Sequence, residues 1–134
     1  MSDEEEITNI SFYSRDDLHG KHHNIGSIAG VVYVALTPSE KVYVGKTVSP
    51  LIQRIKEHER RSKYPIEAAI QKYGKANVRW GILFKSKDNE ELIREEKKWI
   101  GVLQSNEEEN GYNLTEGGEG TTGFKYTEDQ RKEN

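Results

Sequence analysis

The side chains with the most chemistry to offer in this sequence are Arg54, His58, Glu96 and the tyrosines Tyr33 and Tyr43. Arg54 and His58 stand four apart in a stretch of helical periodicity, which stacks them on one face. A guanidinium there can grip a phosphate through a two-pronged fork, and an imidazole one turn on can move a proton near neutral pH. Such a pair on its own is ordinarily solvated surface. Glu96 is the sharper signal. It shares a helical face with Leu92, Trp99, Ile100 and Leu103, and a carboxylate within an apolar stripe is costly unless compensated. Two compensations stay open: a hard cation such as Mg²⁺, which takes oxygen ligands and keeps several waters, or an ion pair with Arg54 or Arg94. Tyr33 and Tyr43 sit in two apolar runs joined by a short turn, close enough to meet, although strand tyrosines are ordinarily sheet packing. Lys46 follows the second run and is either a phosphate clamp or a turn lysine. Asn113, in Gly111-Tyr112-Asn113-Leu114-Thr115, has an Asx-turn as its ordinary role.

These residues need elements to hold them. Gly30 to Leu36 is β-branched and aromatic, a strand. Thr37-Pro38-Ser39-Glu40 turns, and Lys41 to Gly45 returns as a second, antiparallel strand. Ser49 as cap and Pro50 at the first helical position start a helix running to about Arg61, with Leu51, Ile52 and Ile55 on its inner side. A second helix begins near Pro65, carries Ile66, Ala69 and Ile70, and stops at Gly74. Val78, Trp80, Ile82 and Phe84 alternate as a third strand. Asp88 or Asn89 caps a third helix that bears Glu96. The expected fold is α+β, ordered ββααβα: a small three-stranded antiparallel sheet flanked by helices. Residues 1–28 read as a polar extension with at most short ordered pieces, 29–120 as the domain, and 121–134 as a linker or the start of another motif. His19, His22 and His23 cluster in the extension without a matching ligand set, which reads as a solvated loop.

At 134 residues, with 33% apolar and 32% charged residues, the chain suits one domain with a compact core. No window approaches the roughly 18 apolar residues of a membrane span. The acidic start Met1-Ser2-Asp3-Glu4-Glu5-Glu6 is unlike a secretory leader. Absence of cysteine excludes disulfides and thiolate metal sites and fits a reducing compartment. The net charge of −3 hides a strong asymmetry. Residues 41–87 hold twelve Lys/Arg against three Asp/Glu, a local +9 between acidic ends. A basic middle of this kind is the footprint of a polyanion contact, and Lys46, Arg54, Lys56, Arg60 and Arg61 are its candidate phosphate-binding members.

Taken in order, the motifs become specific. Val31-Val32-Tyr33, nine residues, Tyr43-Val44-Gly45-Lys46, then Arg54, His58, Glu96 three before Trp99, and Gly111-Tyr112-Asn113 resemble the GIY-YIG nuclease family from about Gly30 to Gly118. Tyr43-Val44-Gly45-Lys46-Thr47 is similar to the nuclease domain of bacterial excision-repair enzymes. Glu96-x-x-Trp99-Ile100 and the Gly-Tyr-Asn-Leu-Thr ending are closer to phage and intron homing endonucleases. The first motif departs from the family by reading Val-Val-Tyr, with Gly30 one place early. A histidine that homing members carry between the two helices is replaced by Arg61, Ser62 and Lys63.

The resemblance implies a metal-dependent endonuclease acting on double-stranded DNA in the cytoplasm of a bacterial or phage-infected cell; the sequence leaves the oligomeric state open, a monomer being the favoured expectation. Glu96 would hold Mg²⁺, or Mn²⁺ in its place. Arg54 would neutralise charge on the phosphate. Tyr33 or Tyr43 would be the general base, its pKa lowered by Lys46, Arg54 or the metal, and His58 would accept its proton. Asn113 would orient the site or touch phosphate. The tail from Gly123 to Asn134 is similar to the start of modular DNA-binding motifs, so the chain is expected to be the catalytic part of a longer homing-type enzyme. The rival readings are a repair or junction nuclease that recognises DNA shape, and a nucleic-acid-binding module without catalysis.

Overall fold

The computed structural model describes residues 10–20 and 30–117. The tail 121–134 and the histidines His22 and His23 lie outside the described residues. The elements are β1 (Phe12–Tyr13), α1 (Arg15–Gly20), β2 (Gly30–Leu36), β3 (Val42–Thr47), α2 (Leu51–Arg60), α3 (Pro65–Tyr73), a 3₁₀ turn (Lys75–Asn77), β4 (Arg79–Ser86) and α4 (Asn89–Leu103). The strands form one antiparallel sheet in the order β1-β4-β2-β3.

β2 lies between β3 and β4 with helices over both faces, which is why Gly30 to Leu36 reads as a continuous apolar run. Its odd positions, Val31, Tyr33 and Ala35, join Leu51, Ile55, Ile66, Ile70 and Trp80 in one buried cluster beneath α2 and α3. Its even positions, Val32 and Val34, join Val42, Val44, Leu92, Ile100 and Leu103 in a second cluster beneath α4. The sheet therefore separates α2 and α3 from α4.

Three expectations need correction. The sheet has four strands, the fourth coming from the stretch read as a polar extension. Phe12 and Tyr13 pair with Gly81 and Trp80, Leu18 of α1 is buried in the first cluster, and Arg15 Nη2 donates to Glu59 Oε1 at 2.9 Å. A two-residue strand and a six-residue helix carry no period to read, and tertiary pairing alone creates them. Phe84 does not share a face with Trp80 and Ile82. The register against β2 slips between Val32 and Tyr33, with Phe84 opposite the first and Ile82 opposite the second. Leu83 is the extra residue of a bulge, which sends Phe84 to the α4 side. Finally, α2 begins at Leu51, so Pro50 occupies the cap position and no side chain caps the helix. Asp88 is the cap of α4, accepting from Glu90 N at 2.9 Å, and Gly74, at φ 92°, ends α3 as expected.

The outer edge of β3 is covered. Val42 N donates to Asn110 O at 3.1 Å and Tyr112 N to Val42 O at 2.9 Å. Gly111 makes this possible: a Cβ there would lie 2.4 Å from Ser105 O and 2.5 Å from Val42 O. Asn113 continues the pairing with its side chain, which accepts from Val44 N and donates to Val44 O, both at 2.8 Å.

Candidate active site

Tyr33 and Tyr43 are offset across the hairpin. Tyr33 is opposite Gly45 and Tyr43 opposite Ala35, so the two rings are diagonal neighbours on one sheet face, with centroids 6.3 Å apart. Gly45 is required where it stands. A Cβ on it would meet the Cζ and Oη atoms of Tyr33 at 2.6 Å. The glycine leaves the room in which the Tyr33 phenol lies flat across its neighbouring strand.

α2 lays His58 against both phenols. Tyr33 Oη is 2.8 Å from His58 Nε2. The imidazole lies nearly parallel to the Trp80 ring, centroids 6.1 Å apart, and edge-on to Tyr43 at 5.6 Å. On its other side, Nδ1 is 3.0 Å from Glu67 Oε2 of α3. The second oxygen of Glu67 accepts from the backbone N–H groups of Lys63 at 2.8 Å and Tyr64 at 3.1 Å. Tyr33, His58 and Glu67 are all buried, with Glu67 at 0% exposure; Tyr43 is half-buried. The row thus runs from a phenol with some solvent access to a carboxylate with none.

Burial pushes the His58 imidazole below its usual value. Glu67 opposes this, while the positive charges of Arg54 and Arg61 add to it. A neutral imidazole with a carboxylate at Nδ1 carries its proton there, which leaves Nε2 as an acceptor for the Tyr33 O–H. Burial drives both phenols upward. For Tyr33 the neighbouring Tyr43 phenol adds to the rise and Arg54 opposes it; for Tyr43 the charge of Glu96 adds and Arg54 opposes. The sequence led us to expect phenols lowered by nearby cations. Loss of solvent outweighs Arg54, the cation that acts on both, and both groups are neutral O–H donors.

Arg54 stands where its charge acts on both phenols and on His58. Its Nη1 is held by Glu57 Oε1 at 2.8 Å, and Arg61 reaches the same carboxylate at 3.9 Å. Glu96 lies in α4 between Leu92 and Ile100, and its charge reaches both phenols and contributes to raising each. Among the described residues no group of three or more His, Asp or Glu side chains is gathered. A small hard cation that keeps most of its waters needs few carboxylate ligands.

The other sequence candidates fall in different places. Lys46 pairs with Val32, and strand alternation puts it on the α4 side with Val42 and Val44. Lys56 and Arg60 project from α2 about 120° or more around the helix from Arg54, while Arg61 lies near the Arg54 arc. Asn113 spends both polar ends of its amide on β3, so it orients the strand that carries Tyr43 and Gly45. Two partners escaped the sequence reading: Glu57, which holds Arg54, and Glu67. The signal for Glu67 was present. It sits among Ile66, Ala69 and Ile70, the same anomaly of a carboxylate in an apolar stripe that singled out Glu96.

A family model described as the GIY-YIG catalytic domain matches residues 29–113. No curated protein and no solved structure matches the chain. Among the described residues no helix is long and apolar enough to cross a membrane.

Proposed function

The chain belongs to the GIY-YIG family, whose catalytic domain is a nuclease-type domain, and from that premise we propose that it is an endonuclease hydrolysing double-stranded DNA with Mg²⁺ or Mn²⁺ at Glu96. The observation that carries the reading is the 2.8 Å contact between Tyr33 Oη and His58 Nε2 beside the Arg54 guanidinium. It pairs a proton donor with an acceptor next to a fixed positive charge.

The divalent ion, when bound, supplies charge stabilisation to the scissile phosphate and the leaving oxygen. Arg54, oriented by Glu57, neutralises the charge that accumulates on the non-bridging oxygens. The two phenols act as one base. Neither ionises beforehand, because burial holds both protonated, so removing a proton from water requires the pair to release one at the same time. Tyr33 Oη hands that proton to His58 Nε2 along the existing hydrogen bond. Tyr43, the phenol with solvent access, takes the proton of the attacking water as its own O–H proton passes to Tyr33 Oη, whose proton goes to His58 Nε2. The homing-type ancestry remains part of this proposal, supported by Glu96-x-x-Trp99-Ile100 and the Gly111-Tyr112-Asn113 segment.

A plasmid-nicking assay tests it. With Mg²⁺ the intact chain should relax supercoiled DNA, and with EDTA it should not. Glu96→Gln and Arg54→Ala should each lose at least about a hundredfold in rate while still shifting DNA in a gel. Unimpaired cutting by Glu96→Gln would refute the assignment.

A further inference from the structure

Glu67 lies outside every motif used above, and it is the most deeply buried acidic side chain the structure describes. A carboxylate in the first turn of a helix has an ordinary explanation, namely that it caps free backbone N–H groups. One oxygen of Glu67 does this, accepting from Lys63 N and Tyr64 N. A cap needs no more than that and is normally at the surface. Here the second oxygen is turned inward to His58 Nδ1 at 3.0 Å, nine residues away on another helix. His58 is enclosed on every side the structure describes a contact for. Trp80 lies nearly parallel to its ring, Tyr43 meets it edge-on, and Tyr33 and Glu67 take its two nitrogens.

We propose that Glu67 is the positioning residue of a buried Tyr33–His58–Glu67 relay, holding the proton of neutral His58 on Nδ1 so that Nε2 faces the Tyr33 phenol as an acceptor. This rests on the nuclease reading above. The chemistry balances simply. The Tyr33 O–H bond breaks, an Nε2–H bond forms, and the new imidazolium sits against the Glu67 carboxylate; no electrons leave the protein. Without the carboxylate the imidazole is free to carry its proton on Nε2. Nε2–H would then donate to the Tyr33 oxygen across 2.8 Å, and the phenol would have no acceptor there for its proton. A third group that sets the tautomer of an imidazole base is worth several powers of ten in other hydrolases.

Glu67→Gln separates this role from capping. The glutamine keeps a carbonyl oxygen for Lys63 N and Tyr64 N, but its NH₂ group now faces His58 Nδ1 and can only donate. Nδ1 must become the acceptor, and the proton moves to Nε2. The experiment has two readouts on the full chain. ¹⁵N NMR of the imidazole should show the Nδ1–H tautomer in the unaltered protein and the Nε2–H tautomer in Glu67→Gln. Single-turnover nicking of plasmid with saturating protein and Mg²⁺ should fall about a thousandfold, with the Kd for DNA within about twofold. A neutral Nε2–H tautomer in the unaltered protein overturns the proposal, and that measurement needs no variant to fold. A flipped tautomer with unimpaired cutting also overturns it while leaving the nuclease reading intact. If the unaltered chain and Glu67→Gln both fail to cut, the nuclease reading fails and the relay's catalytic role falls with it.

Discussion

Burial lowers the His58 imidazole, Arg54 and Arg61 push the same way, and Glu67 pulls back. The acceptor form of His58 is therefore already populated at neutral pH. The cleavage rate should rise with pH in one step whose midpoint lies below about 6.5 and be flat above neutrality. A rate that keeps climbing through about pH 9 would mean that a phenol ionises freely, against the upward push on Tyr33 and Tyr43. The same shift links to stability. A histidine lowered on folding contributes stability above its unfolded value of about 6.5, because folded and unfolded chains are then both neutral. As pH falls, the unfolded chain binds its proton first, and stability declines until folded His58 is protonated too. Urea melts from pH 8 down to pH 5 should show that decline, and His58→Gln should flatten it.

Elements rather than single side chains decide where the phenols stand. β3 is an edge strand whose outer side is closed by residues 110–113, and Asn113 completes the edge through two bonds to Val44. Asn113→Ala removes both bonds and leaves a strand edge open. We expect a loss of about 1–3 kcal/mol, together with faster hydrogen exchange at the Val44 amide. Normal protection at Val44 would show that the edge does not depend on this side chain. Across the sheet, α1 is joined to the core through Leu18, 1% exposed. Leu18→Ala should cost about 2–5 kcal/mol, read as a lower urea midpoint. An unchanged midpoint would mean that the N-terminal pieces ride on the domain without stabilising it.

At the level of the whole molecule, the charge pattern is a basic middle between acidic ends, and the fold deploys that middle unevenly. Arg54 of α2 and Arg61, the residue just after it, converge on Glu57, whereas Lys56 and Arg60 lie about 160° around the helix from His58. DNA affinity should therefore fall steeply with salt through release of phosphate counterions. Arg61→Gln should reduce the slope of log K against log salt by about one, and Lys56→Gln should leave it nearly unchanged. Equal effects from the two would mean that DNA contacts the whole of α2.

The sequence by itself determined the hairpin, the two helices after it, the third long strand and the last helix, because each carries enough residues for a period of 2 or 3.6 to declare itself. It also picked out Tyr33, Tyr43, Arg54, His58 and Glu96, since their types and order are properties of the chain. Pairing and packing decided the rest. The fourth strand exists because β4 offers Phe12 and Tyr13 an edge, and two residues alone contain no period. The bulge at Leu83 turns Phe84 over, although the alternation runs unbroken on paper. Glu67 and His58 meet because α3 packs against α2, and burial then raises phenols that Arg54 alone would lower. A helical or strand period is local and can be read along the chain; solvent exclusion and contact between elements depend on neighbours that only folding brings together.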